Sequence, residues 1–256
     1  MNTPPLHSDM QALTGLAAGD ADRLLCTRFL PMSAQPGGLV LLAFHNELIR
    51  ALAPARSAAV AGPMAGLIRL QWWREVLEKT RPPEHNIAPF LLGMMERQQA
   101  RQATLLRLVH SCEMELSGPR DQPAWEAMMR NGPGALQRAV GELLGLEDEG
   151  LLLRLEAGGM AYGAGAMLRH WPALQQSGRF ICPQGTDALR LQGQAWLDAL
   201  DWPELPPPCR LAAPLAVLAR RDLARGTTQA ARPRGLGDRA ALMWQGVKAL
   251  RAFERG

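Results

Sequence analysis

Apolar residues along most of this chain recur at steps of three and four, the spacing of one helix face. Pro and Gly punctuate that pattern into roughly nine or ten segments. The first opens at Asp20, whose carboxylate suits an N-cap, runs through Leu24, Leu25, Arg28 and Phe29, and stops at Pro31. A second covers about 37–52. A third covers about 63–80, with Pro63 at the first helical position, where its missing N–H costs nothing. The pattern predicts further helices over 88–99, 102–117, 123–145 with a kink at Gly132-Pro133-Gly134, 147–156 and 157–171. After a loop over 178–183 come helices near 188–200, about 209–225 and from 238 onward. The Arg- and Gly-bearing link 226–237 is expected to be mobile.

Composition agrees with an all-α fold. The 256 residues include 42 Leu and 39 Ala, but Val, Ile and Thr together number 19, too few of the β-branched residues that suit a pleated surface. One large helical bundle spanning 1–256 is expected, with a basic and partly mobile C-terminal region from about residue 206. The longest apolar runs, such as 39–44, are far shorter than the roughly 20 residues of a membrane-spanning helix, so no span is expected. The N-terminal residues show no signal or transit pattern, and a cytoplasmic location is expected.

Charge is unevenly placed. Residues 1–205 carry 18 basic and 21 acidic groups, whereas 206–256 carry 10 and 3, a tail of +7 on a body of −3. Such a tail suits anionic headgroups at a membrane surface or an acidic protein partner; a solvated face in an Arg-rich chain is the plainer reading. Nucleic acid is not an expected partner, because no aromatic residues interleave with the cations and no base-reading motif is present. Cys26, Cys112, Cys182 and Cys209 lie far apart and read as small buried apolar residues. No two of the five histidines fall at i,i+3 or i,i+4, so no helix-borne zinc site is expected. No nucleophile motif of the acyl-transfer kind occurs.

The segment Leu39-Val-Leu-Leu-Ala-Phe-His-Asn-Glu-Leu-Ile-Arg50, followed by Arg69-Leu-Gln-Trp-Trp-Arg74, resembles the squalene/phytoene synthase family. The helix from Gly159 to Arg169 is similar to that family's second active-site helix. Gly178-Arg179-Phe180-Ile181-Cys182-Pro183 is similar to the loop that follows it. The resemblance implies a bundle of the isoprenoid synthase type around a central cavity. It also implies a reaction in which two prenyl diphosphates are joined head to head. That chemistry needs magnesium to draw off the diphosphate, held by aspartates at i and i+4 on two facing helices.

Those aspartates are missing here. Between His45 and Ala53 the only acid is Glu47, and the metal-facing positions of the second motif fall on Ala166, His170 and Leu174. Of that motif Arg169 survives; Met128 stands where the family places a Tyr, and Arg130 where an acid is common. The Phe44-Asn46-Glu47 stretch and Arg69-x-Gln71-x-Trp73 resemble the degenerate branch that includes a mitochondrial complex I assembly factor and its bacterial relatives. The resemblance therefore implies a non-catalytic protein without catalytic or metal-ligating residues and without a cofactor. It would bind an isoprenoid or other lipid, or a membrane protein complex, and lie at the periphery of the inner membrane. The alternative is a prenyl transferase acting on farnesyl or geranylgeranyl diphosphate, the one case that brings in magnesium.

The candidate pocket residues are Phe44, Asn46, Glu47, Arg69, Gln71, Trp72, Trp73, Arg74, Tyr162, Gly165, Arg169, His170 and Arg179. Trp72 and Trp73 point about 100° apart, so one faces the core and the other a groove or interface. Arg69, Arg74, Arg169 and Arg179 either hold an anionic headgroup without metal or pair with Glu47, Glu75 and Glu78. The small residues Ala157, Gly158, Ala161 and Gly165 mark either a cavity wall or, the plainer reading, a close helix contact.

Overall fold

The computed structural model describes residues 7–52, 62–117, 121–227 and 233–255, and within them all regular structure is helical. In chain order the helices are α1 (His7–Ala17), α2 (Ala21–Thr27), α3 (Gln35–Ala51), α4 (Gly62–Leu77), α5 (Ala88–Glu96), α6 (Gln102–Ser117) and α7 (Gln122–Met129). They continue as α8 (Ala135–Leu143), α9 (Glu149–Arg169), α10 (Trp171–Gln176), α11 (Gly185–Leu200), α12 (Pro207–Ala212), α13 (Ala216–Arg225) and α14 (Leu236–Glu254). As the sequence predicts, Asp20 caps α2: its carboxylate accepts the Arg23 N–H at 3.0 Å.

Several boundaries differ from the sequence reading, each for a local reason. α1 is not foreseen; it is held by Leu13 and Ala17, buried against α3. The kink at Gly132-Pro133-Gly134 is a π-turn over Arg130–Gly134 between α7 and α8, an opening that accommodates the proline within the helix. The helices expected at 147–156 and 157–171 are instead one, α9, ended before Pro172. Its glycines are not breaks but contact points: Gly158 meets Leu200, and a methyl at Gly159 would collide with the Pro133 carbonyl oxygen. The helix expected at 209–225 is two, because Pro214 turns Ala213 out of helical geometry.

The link 226–237 falls in part outside the described residues. Where described, its Arg234 donates to Asp22 at 2.8 Å and to Asp222 at 2.6 Å.

α9 runs through the middle of the bundle, flanked by α8, α11 and α13. Two apolar cores form around it. One joins α1, α3, α4, α5, α6 and α8, with Trp73 and Phe44 at its centre; the other joins α7, α9, α11 and the C-terminal helices. A buried polar network fastens α8 to both sides. Arg138 donates to Glu142 (3.0 Å), Glu149 (2.6 Å) and Glu156 (3.1 Å), and Arg107 of α6 reaches Glu156 at 2.6 Å.

Candidate functional site

At the seam between the two cores lies a cavity of about 350 Å³, within the range of pockets that enclose a small molecule. α3 contributes His45 and Ile49, four residues apart on one helix face, and α9 contributes Tyr162, Gly163, Ala166 and Met167, with His170 at its C-cap. α6 supplies Leu108, Ser111, Cys112 and Glu115, α7 and the π-turn supply Met128, Met129 and Pro133, and α2 supplies Arg23. Leu174 and the loop from Arg179 to Ile181 complete the wall.

The arginines of this wall are each ion-paired, although Arg23 Nε and Nη2 are buried without a hydrogen-bond partner among the described residues. Arg179 donates from Nε and Nη2 to Glu115, a bidentate pair that holds its guanidinium charged against the opposing effect of burial. Arg23 binds Asp20 at 2.7 Å and stacks over the Tyr162 ring, 4.7 Å from its centroid. Burial pushes the Asp20 carboxyl up, but the charge and hydrogen bonds of Arg23 outweigh it and hold the group below the usual carboxylate range. Burial raises Tyr162 well above an ordinary phenol, so it stays protonated and donates to Asp22 at 3.1 Å.

His45 is pushed down to about 3, first by burial and then by Arg23 and Arg179, so its ring is neutral at physiological pH. Its Nδ1 has no partner among the described residues. His170 is lowered as well, by burial and by Arg169. Burial lifts Cys112 to about 12, which keeps the thiol protonated and rules it out as a thiolate nucleophile. Both wall arginines are thus ion-paired, Arg179 to Glu115 on the wall and Arg23 to Asp20 behind it, between neutral rings and apolar walls.

Of the residues singled out from sequence, Tyr162, His170 and Arg179 line this cavity. The others lie elsewhere. Phe44 is packed edge-on against Trp73, ring centroids 5.1 Å apart, inside the first core. Asn46 donates to the Leu16 carbonyl at 3.0 Å, tying α3 to α1. Glu47 turns away from the cavity to Arg50 and to His85, 3.7 Å from its ring nitrogen. Trp73 is buried and Trp72 half-buried beside His85, the division the 100° offset demands.

Arg69 and Gln71 face outward from α4. Arg74 pairs with Glu113 at 2.6 Å and Arg179 with Glu115, so the partners expected from sequence, Glu47, Glu75 and Glu78, are not theirs. Gly165 packs on α13 against Asp222 and Ala219, and the small face of α9 is a helix contact. Arg169 borders a separate surface hollow with Arg221, Arg225 and Asp238. The sequence reading missed Arg23 and Glu115. Arg23 follows a capping Asp at the third position, a local signal, whereas nothing local marks Glu115.

The magnesium that the resemblance brings into question would need several hard oxygen ligands. The cavity-facing residues at the expected metal positions are His45, Ile49, Ala166, His170 and Leu174, and the carboxylates nearby are bound to arginines. Among the described residues no group of three or more His, Cys, Asp or Glu is arranged to hold a metal ion. The donor set does not fit the ion.

Among curated proteins none matches the chain. A crystal structure of a dehydrosqualene synthase in complex with ligand superposes with a TM-score of 0.72 at 12% identity, covering 95% of this chain and 97% of that one. At that identity the likeness is one of fold, the all-α isoprenoid synthase bundle. The squalene/phytoene synthase family model matches residues 16–252, and the chain belongs to that family.

Proposed function

We propose that this chain is a non-catalytic member of its family that holds a lipid-like molecule, isoprenoid in shape, in the seam cavity without metal. One observation carries the reading: where α3 and α9 face each other across the cavity, the positions four residues apart are His45 with Ile49 and Ala166 with His170, not carboxylates. Ionising an allylic diphosphate requires its polyanionic leaving group to be neutralised, and a cavity whose cations are already paired has little charge to offer. Its walls of Leu, Met, Ile and Phe suit an apolar chain, and Arg23, His45 and Tyr162 suit a small, weakly charged head.

An assembly role beside a membrane complex belongs to the same reading. Its support is that Arg69 and Gln71, part of the resemblance to the assembly-factor branch, are exposed on α4 instead of lining the cavity. Gln71 shares its face with exposed Met64 and Ile68, 63% and 65% accessible, a surface suited to a protein partner rather than to a ligand. Among the described residues no helix is long and apolar enough to cross a membrane, so attachment would be peripheral.

Incubation of the purified protein with labelled farnesyl or geranylgeranyl diphosphate and magnesium is the test. The reading expects no pyrophosphate release, together with lipid recovered by native mass spectrometry. Turnover abolished by a chelator would replace it with the prenyl transferase alternative.

A further inference from the structure

We infer that the outer face of α14 docks on an anionic phospholipid bilayer. The inference rests on the peripheral placement just proposed and names the surface that achieves it; it is independent of what the cavity holds.

The rotation of α14 is fixed by its inner side. Gly246 lies directly on the Phe29 ring, where a methyl could not fit, and Leu242 and Ala249 are buried. At 100° per residue, these three share one arc of the helix. The opposite arc carries Trp244, 68% accessible, and the flank between the two arcs carries Met243 and Leu236, also exposed. A large indole left in water is unfavourable unless something covers it.

The cations around Trp244 indicate what does. Trp244 forms one wall of a surface groove of about 270 Å³ whose remaining sides include Lys248, Arg251 and Arg255. None of the three cations is ion-paired among the described residues, in contrast to Arg221, Arg225 and Arg234, whose charges are bound to aspartates on the inner side. The acid on the outer arc is Glu254, so that arc is net positive. Indole at the depth of the headgroups, with Lys and Arg stems extending to phosphate, is how interfacial helices meet anionic lipid.

Vesicle flotation with the full chain, comparing phosphatidylglycerol-rich with pure phosphatidylcholine vesicles, tests this. Binding is expected to the anionic vesicles and to weaken with salt. Lys248→Gln, Arg251→Gln and Arg255→Gln combined should lower the partition constant on the order of 100-fold, from the free energy typical of a cation at such a surface. Because several tryptophans fluoresce, bromine-labelled acyl chains should quench the native protein more than Trp244→Phe, which keeps an apolar ring and still binds.

Equal binding to neutral vesicles, quenching unaffected by Trp244→Phe, or no vesicle binding would each overturn the assignment. In the last case, self-association abolished by the same triple variant would identify a second copy as the occupant. Lipid found in the cavity, or its absence, leaves this result unchanged, so the two readings fail separately.

Discussion

His45 shows how much one side chain can say about this cavity. Its folded pKa of about 3 lies below the unfolded value near 6.5, so between these limits the unfolded chain binds a proton that the native protein refuses. Stability from this residue is complete above pH 6.5 and is lost as the pH falls towards 3. His45→Gln removes that dependence. Between pH 7 and pH 5 the native protein should lose about 2 kcal/mol more unfolding free energy than the variant, measured by urea titration at both values. Equal losses would mean that the ring is solvated rather than enclosed between Arg23, Asp20, Arg179 and Asn46.

The same residue marks the limit of reading the site from sequence. From Leu39 to Phe44 every residue of α3 is buried, and an all-round apolar helix carries no amphipathic phase to say which face meets the cavity. Glu47, the lone acid, draws attention in the sequence, yet it lies 200° around the helix from His45 by the same 100° step and serves Arg50 instead.

At the scale of elements, the long helices were legible because their apolar period is sustained, and α6 matches its predicted span of 102–117. What misled was glycine. In α9 it reads as punctuation, but Gly159 and Gly163 make room for the π-turn. The two positions should respond differently to alanine. At 159 the methyl meets backbone, the Pro133 carbonyl, and the cost should lie at or above the upper end of about 1–3 kcal/mol. At 163 it meets the Met129 side-chain tip and the Pro133 ring, both of which can shift in part, so the cost is smaller. Thermal unfolding of both variants checks the order; G163A more destabilised than G159A would contradict the packing described.

Arg138 links elements in another way. It is 8% exposed among three glutamates, and Arg138→Met leaves Glu142 and Glu156 buried with fewer partners, an expected loss of about 3 kcal/mol. A loss below ~1 kcal/mol in urea unfolding would show that solvent reaches the network.

For the whole molecule, composition and period suffice for the all-α class, and the motifs around Phe44, Trp73 and Arg169 suffice for the family. The cavity's electrostatics do not follow from either, because they depend on pairs distant in sequence. Arg179 meets Glu115 across 64 residues, and Arg234 meets Asp22 across 212. These pairs bind cations of the interior, while Lys248, Arg251 and Arg255 of the basic tail, without ion pairs among the described residues, lie on the outside of α14. The charge asymmetry seen in sequence is thus divided in the fold, part of it structural and part of it exposed.

Calorimetric titration of magnesium into the protein, with a non-cleavable farnesyl diphosphate analogue present, addresses the absence of metal ligands most directly. No saturable magnesium binding beyond that of the analogue alone, titrated without protein, is the predicted result. A saturable site, reversed by chelator, would contradict it and return the chain to the enzymes of its family.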